Sequence, residues 1–141
     1  MIVVDTNVIA YMLLTGDRSA QAERAYHKDP EWAAPLLWRG EFRNVLALYL
    51  RKRILSLPEA LQVMESAIGL MEGREFRVPS RDVLSLVADS DCSAYDCEFI
   101  ALAQDLGTRL VTCDRGILRQ FQAVAVSLDV FAADEMMGGA L

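Results

Sequence analysis

The chain is poor in the side chains that many small enzymes rely on. Of its 141 residues one is histidine, His27, set in a polar helical stretch with no nucleophile nearby in sequence. Ser-His-Asp and Cys-His chemistry both need an imidazole beside the nucleophile, so neither fits. The three cysteines, Cys92, Cys97 and Cys113, are an odd set, and with one histidine they do not supply a zinc site at the usual ligand spacing. Lysine is scarce too, limited to Lys28 and Lys52. No stretch approaches the ~18 apolar residues of a membrane span, and no basic segment precedes the first apolar run. These absences lead to the expectation of a cytoplasmic protein with free thiols and no membrane contact.

Basic charge is in short supply as well. The formal net charge is −6 and the isoelectric point about 4.7, the opposite of a protein that coats nucleic acid by neutralising phosphates. A nucleic-acid substrate would need something other than net charge to bring it in, and a bound divalent cation is the obvious candidate. What the chain has in plenty is apolar surface, 53% of residues, with 24% charged, which argues against disorder. A chain of this length buries about two-thirds of its extended surface. The apolar share is rich for a lone domain and points to a self-association surface.

Strands and helices alternate along the sequence. Ile2-Val3-Val4 reads as a strand, and helices are expected over 6–14 and 19–28. A strand over 32–34 ends at Pro35, a helix runs over 41–53, and Pro58 opens another that reaches about Met71. Gly40 disfavours a helix start by up to ~1 kcal/mol relative to alanine. No good capping residue lies in 36–39, so the third helix is read from Glu41. Phe76 to Val78 reads as a strand, Ser80 and Ser93 as caps of helices ending near Ala88 and Leu106, and Gly107 as the stop of the latter. A strand over 109–112, a short helix over 115–121 and a strand over 124–127 follow. This is the pattern of an α/β fold with a mostly parallel central sheet, here read as one domain over 1–141 with a frayed tail over about 129–141.

Four acids fall at telling places. Ligands of open parallel sheets bind outside the carboxyl ends of the strands. Asp5 follows the first strand and Asp114 follows Leu110-Val111-Thr112-Cys113. Asp96 lies three residues after Ser93, on a face shared with Ile100 and Ala103, and Glu41 shares the stripe of Val45 and Leu48. Each alone reads as a cap or a solvated helix residue. Gathered at one sheet edge they would repel and raise one another's pKa unless a cation neutralised them, and an oxygen-only donor set selects Mg²⁺ or Mn²⁺.

The segments Val3-Val4-Asp5-Thr6-Asn7, Glu41 to Leu46, Ser93 to Ala103 and Leu110 to Asp114 together resemble the PIN domain family, in particular its VapC-like toxin ribonucleases. The resemblance spans Met1 to about Ser127. It implies a Rossmann-like α/β/α sandwich and an Mg²⁺- or Mn²⁺-dependent endoribonuclease. Asp5, Glu41, Asp96 and Asp114 would be its catalytic, metal-holding quartet, with Thr6, Asn7 and Thr112 in support. It also implies an RNA substrate, a cognate antitoxin and a homodimer. Hydrolysis by a cation-activated water needs no ribose 2′-hydroxyl, so the expected ends are a 5′-phosphate and a 3′-hydroxyl.

Other residues carry expectations of their own. Arg39 and Arg43 flank Glu41 and Arg115 follows Asp114, which makes them candidates to guide the phosphate backbone. Arg51-Lys52-Arg53 reads as the positive end of a helix. Tyr95, Phe99, Tyr49 and Phe42 are read as core residues, and Cys113 as a small core residue. Tyr11 to Leu14 extend the first helix's apolar surface beyond one face, the motive for the dimer. Two phosphotransfer readings fail: an Asp-nucleophile phosphatase wants a second Asp where Asn7 stands, and a receiver-type phosphoacceptor wants a late lysine. The alternative that survives is a non-catalytic RNA- or protein-binding module of the same fold.

Overall fold

The β-branched and alanine-rich runs form short strands because both of their faces are covered. The computed structural model describes residues 1–139. Its strands are β1 (Ile2–Val4), β2 (Trp32–Pro35), β3 (Glu75–Phe76), β4 (Leu110–Thr112) and β5 (Ala125–Ser127). They form one five-stranded sheet in the order β3-β2-β1-β4-β5, every neighbouring pair parallel. Val3, Val4, Ala33, Leu110 and Val111 are wholly buried, as expected of parallel strands sandwiched between helices.

The helices are α1 (Thr6–Leu13), α2 (Ser19–Lys28), α3 (Trp38–Arg51), α4 (Leu57–Met71), α5 (Ser80–Ala88), α6 (Ala94–Leu106), α7 (Arg115–Gln120) and α8 (Leu128–Gly139). The chain steps from β1 outward to β2 and β3, then crosses back to β4 and on to β5. Right-handed crossovers in opposite directions put their helices on opposite faces. Accordingly α6 packs on β1, β2 and β4 with α5 against it, while α1 packs on α2 and α3, α3 on α4, and α2 on α8. The reversal of direction lies between β1 and β4, which makes the crevice at their carboxyl ends the switch point where α/β sheets bind ligands.

Local chemistry fixes most boundaries. Ser93 caps α6, accepting from Asp96 N at 3.1 Å, and Gly107 ends it in the left-handed region at φ 65°. Ser56 and Glu59 form a reciprocal capping box at the start of α4. Beyond shifts of one or two residues at several ends, three differences from the sequence reading stand out. Ser80 is the first residue of α5, not its cap, since Pro79 holds the cap position. Helix α3 begins at Trp38, a turn before Glu41, without any side-chain cap. Burial replaces the cap: Trp38 is fully enclosed and its Nε1 donates to Glu75 Oε1 at 2.7 Å. Leu128–Gly139 form α8, a helix that the sequence reading did not assign, with Leu128, Phe131 and Ala132 buried; residues 140 and 141 lie outside the described residues.

Candidate active site

Sheet register brings the first two acids together. Val4 pairs with Val111, so Asp5 leaves β1 level with Thr112 at the end of β4, and its N–H donates to Val111 O at 3.0 Å. Asp5 is the N-cap of α1: its Oδ1 accepts from Thr6 N at 2.8 Å. Its Oδ2 accepts from the fully buried Thr112 hydroxyl at 2.7 Å. The same Thr112 oxygen accepts from Asp114 N at 3.0 Å, which ties the two strand ends into one network. Asp114 in turn caps α7 through Oδ1, accepting from Ile117 N at 2.9 Å.

The other two acids arrive on helices. Glu41, in the first turn of α3, has Oε1 held by the buried Thr6 hydroxyl at 2.7 Å. Asp96 sits in the first turn of α6 beyond its Ser93 cap. All four acids, with Thr6, Asn7, Asn44 and Val45, line a single cleft of about 260 Å³. Among the described residues no three or more His, Cys, Asp or Glu side chains close into a ready-made metal cage. The bonds to Thr112 and Thr6 tie Asp5 to the end of β4 and Glu41 to the start of α1.

The electrostatics follow from this crowding. Burial pushes the Asp5 carboxyl up from 3.8 to about 6; the Thr112 and Thr6 bonds oppose this, and the Glu41 and Asp96 charges add to it. Burial also raises Glu41, reinforced by the charges of Asp96 and Glu98 and opposed by the Thr6 bond. Asp96 is raised by burial and then by the charge of Asp114. Asp5, Glu41 and Asp96, whose ionisation burial and neighbouring charges disfavour, make with Asp114 an oxygen-only donor set that suits a hard divalent cation, and Mg²⁺ or Mn²⁺ ahead of zinc.

None of the three arginines expected to guide phosphate lines the cleft. Arg39 is bonded through Nε and Nη2 to both oxygens of Glu75, each at 2.7 Å, so its guanidinium fastens α3 to β3 instead of facing the acids. Arg43 and Arg115 are exposed, and neither lines the cleft. Two neutral amides do line it, Asn7 as expected and Asn44, which the sequence reading missed. Asn44 was findable: it stands one helical turn after Glu41 on the same stripe. Of the four aromatics read as core, Phe42 and Phe99 are buried, Tyr49 is half-buried and Tyr95 is 63% exposed.

The sequence matches the PIN domain family over residues 2–124. The chain belongs to that family. Among relatives of this PIN domain is a Pyrobaculum aerophilum protein named ribonuclease VapC3. It is 29% identical over 126 residues, covering 87% of this chain and 96% of that one. The fold is shared with the crystal structure of PAE2754 from P. aerophilum, with a TM-score of 0.70, 18% identity and 94% of both chains covered. It is shared also with a toxin–antitoxin complex from Klebsiella pneumoniae, with a TM-score of 0.67, 17% identity, and coverage of 91% of this chain and 98% of that one. The five-stranded parallel sheet between helices is thus the PIN-like fold that the motifs implied.

Proposed function

We propose that this PIN domain is a divalent-metal-dependent endoribonuclease and the toxin of a toxin–antitoxin pair, hydrolysing RNA phosphodiester bonds with Asp5, Glu41, Asp96 and Asp114. One observation carries the reading: acids from four separated segments line a single cleft at the switch point of the sheet. The names of the VapC3 relative and the Klebsiella complex support it. The fit of a cation follows from the donor chemistry. Mg²⁺ keeps several of its waters and takes only one or two carboxylates directly, so four acids ranged around a cleft suit it better than a closed cage would. When bound, the ion supplies positive charge to the attacked phosphate and lowers the pKa of a water.

The protein's own residues do the rest. Thr112 and Thr6 fix the Asp5 oxygens, so the carboxylate cannot swing out of the crevice. Glu41, with Oε1 tied to Thr6, keeps Oε2 to receive a proton from the attacking water, and its raised pKa makes it a better base. Asn7 and Asn44 offer uncharged donors to the phosphate and ribose oxygens beside the acids. Incubating the protein with total RNA in Mg²⁺ or in EDTA tests the reading. Cleavage should require the ion, vanish in Asp96→Asn, and leave 5′-phosphate and 3′-hydroxyl ends; a 2′,3′-cyclic phosphate rules the mechanism out.

The partner side of the reading has its own supports. An acidic cleft complements a cationic side chain of an antitoxin, and saturation with that partner should stop cleavage. Three free thiols, two of them buried, suit a reducing cytoplasm. For the homodimer, Leu14 is buried in the core and Tyr11, Met12 and Leu13 pack half-buried against it. The support moves to Ile54, Leu57 and Leu61, each between 57% and 59% exposed. Sedimentation as 15.7 kDa particles at micromolar concentration overturns the dimer.

A further inference from the structure

A second cavity opens directly off the acid cleft. It encloses about 650 Å³, within the range of pockets that hold small organic ligands, and shares Asn7, Asn44 and Val45 with the cleft. The shared wall is α3, which runs from Glu41 at the cleft to Arg51 at the far end of the groove, about 15 Å along the axis. The groove departs from the rest of this acidic chain in its charge. Its charged lining is Arg18 and Arg51 against a single acid, Asp17. Two half-buried tyrosines, Tyr11 and Tyr49, also line it. The Arg18 guanidinium lies 5.8 Å from the centre of the Tyr11 ring, and its Nη1 is 3.2 Å from Cys113 Sγ.

Half-buried aromatic rings beside exposed arginines form the combination that holds single-stranded nucleic acid: bases stack on the rings while cations track the backbone. Net charge disfavours such binding over the molecule as a whole, so two rings and two arginines in one groove, continuous with the proposed scissile site, are the informative feature. We infer that this groove is the subsite for the single-stranded RNA segment flanking the cleaved bond, with Tyr11 and Tyr49 as stacking faces and Arg18 and Arg51 as phosphate contacts. The inference rests on the ribonuclease reading for its register and adds to it where the substrate lies. Stacking is tolerant of base identity, so the groove supplies affinity and direction along the strand rather than a sequence code. It also assigns Arg51 a role beyond the positive end of a helix.

The test is fluorescence anisotropy with a labelled single-stranded RNA oligonucleotide, in an Asp5→Asn background that removes turnover. Tyr49→Leu, which keeps apolar bulk against the core, should weaken binding about 5- to 100-fold. Arg51→Gln, at an exposed helix end, should lower the slope of log affinity against log salt by about 0.7, the value for one phosphate contact on a single strand. A merely structural role moves neither quantity at unchanged thermal stability. Parental affinity and salt slope in both variants, the result expected if the groove takes a protein segment instead, overturn the inference. Cleavage by the parent chain together with unaltered binding in the groove variants removes this assignment alone. Binding lost in the variants, with no cleavage by the parent in any divalent ion, supports the groove as an RNA site and removes the ribonuclease reading alone.

Discussion

In protein stripped of divalent ions by EDTA, Asp5 should make folding stability fall as pH rises from about 4 to about 7. The native carboxyl holds its proton up to about 6, whereas an unfolded one releases it near 3.8. Between those values the native state binds more protons than the unfolded state, so stability decreases with pH. A difference of about two pKa units corresponds to about 3 kcal/mol at neutral pH, a large part of a small domain's total stability. Asp5→Asn removes the ionisation and keeps the shape. Its amide oxygen can still accept from Thr6 N, and its NH₂ can donate to the second lone pair of the Thr112 oxygen. Urea denaturation followed by circular dichroism at fixed ionic strength should show the variant gaining on the parent as pH rises, by up to about 3 kcal/mol. Adding Mg²⁺ should close the gap by stabilising only the parent, about 2.7 kcal/mol at a hundredfold excess over the dissociation constant. A gap that stays constant from pH 4 to 7 refutes the account of Asp5 as a charge that burial disfavours.

Three further perturbations probe the network around it. Thr112→Val leaves one buried Asp5 oxygen and the Asp114 N–H without their partner, which should cost about 1–3 kcal/mol and move the acid limb of the cleavage profile to higher pH, read by pH-rate measurements. Arg39→Gln releases Glu75 and should lower the melting temperature without weakening RNA binding, since the guanidinium is committed to β3; weakened RNA binding at unchanged stability restores it to the substrate path. Gly116→Ala places a methyl 3.2 Å from Asp114 Oδ1 and forces that cap oxygen to give by a few tenths of an ångström. Its helical position gains up to ~1 kcal/mol in propensity, so calorimetry should show stability kept while Mg²⁺ affinity falls; an unaltered affinity shows that Asp114 orientation does not matter.

The strand–helix alternation was legible because both signals are local. Ile2-Val3-Val4 and Leu110-Val111 are apolar runs too short for helices, and Ser93 with Gly107 frames α6 by capping chemistry that neighbouring residues decide. The start of α3 was hidden because it is a tertiary effect. Nothing near Trp38 in sequence announces that its indole will be enclosed and bonded to Glu75, 37 residues on. The same distant partner removed Arg39 from the cleft. Helix α8 was missed for a similar reason, its first turn being held by Leu128 and Phe131 packing into a core that α2 completes. The groove lined by Tyr11 and Tyr49 joins α1 to the second half of α3, and pattern alone read Tyr49 as core and Tyr11 as surplus apolar surface of the first helix.

A cap and a metal ligand look like competing explanations for an acid at a strand-to-helix junction, and the geometry removes the competition. A carboxylate has two oxygens, and capping uses one. Asp114 caps α7 with Oδ1, and Asp5 caps α1 with Oδ1 while a buried hydroxyl pins Oδ2. On the proposed ribonuclease reading the cap would serve as the positioning device, removing the rotamer freedom that a flexible acid would lose on taking up a cation. Glu41 reaches the same end by another route, one oxygen tied to Thr6 and the other left over. Asp96 differs, since its N–H donates to the Ser93 hydroxyl that caps α6, and the same hydroxyl, bonded to its carboxyl, opposes the upward push of burial. Its carboxylate caps no helix, so Asp96→Asn should leave the fold in place while testing the chemistry directly. An Asp96→Asn protein with parental melting temperature and no cleavage supports that division of labour; one that still cleaves RNA at the parental rate removes Asp96 from the site.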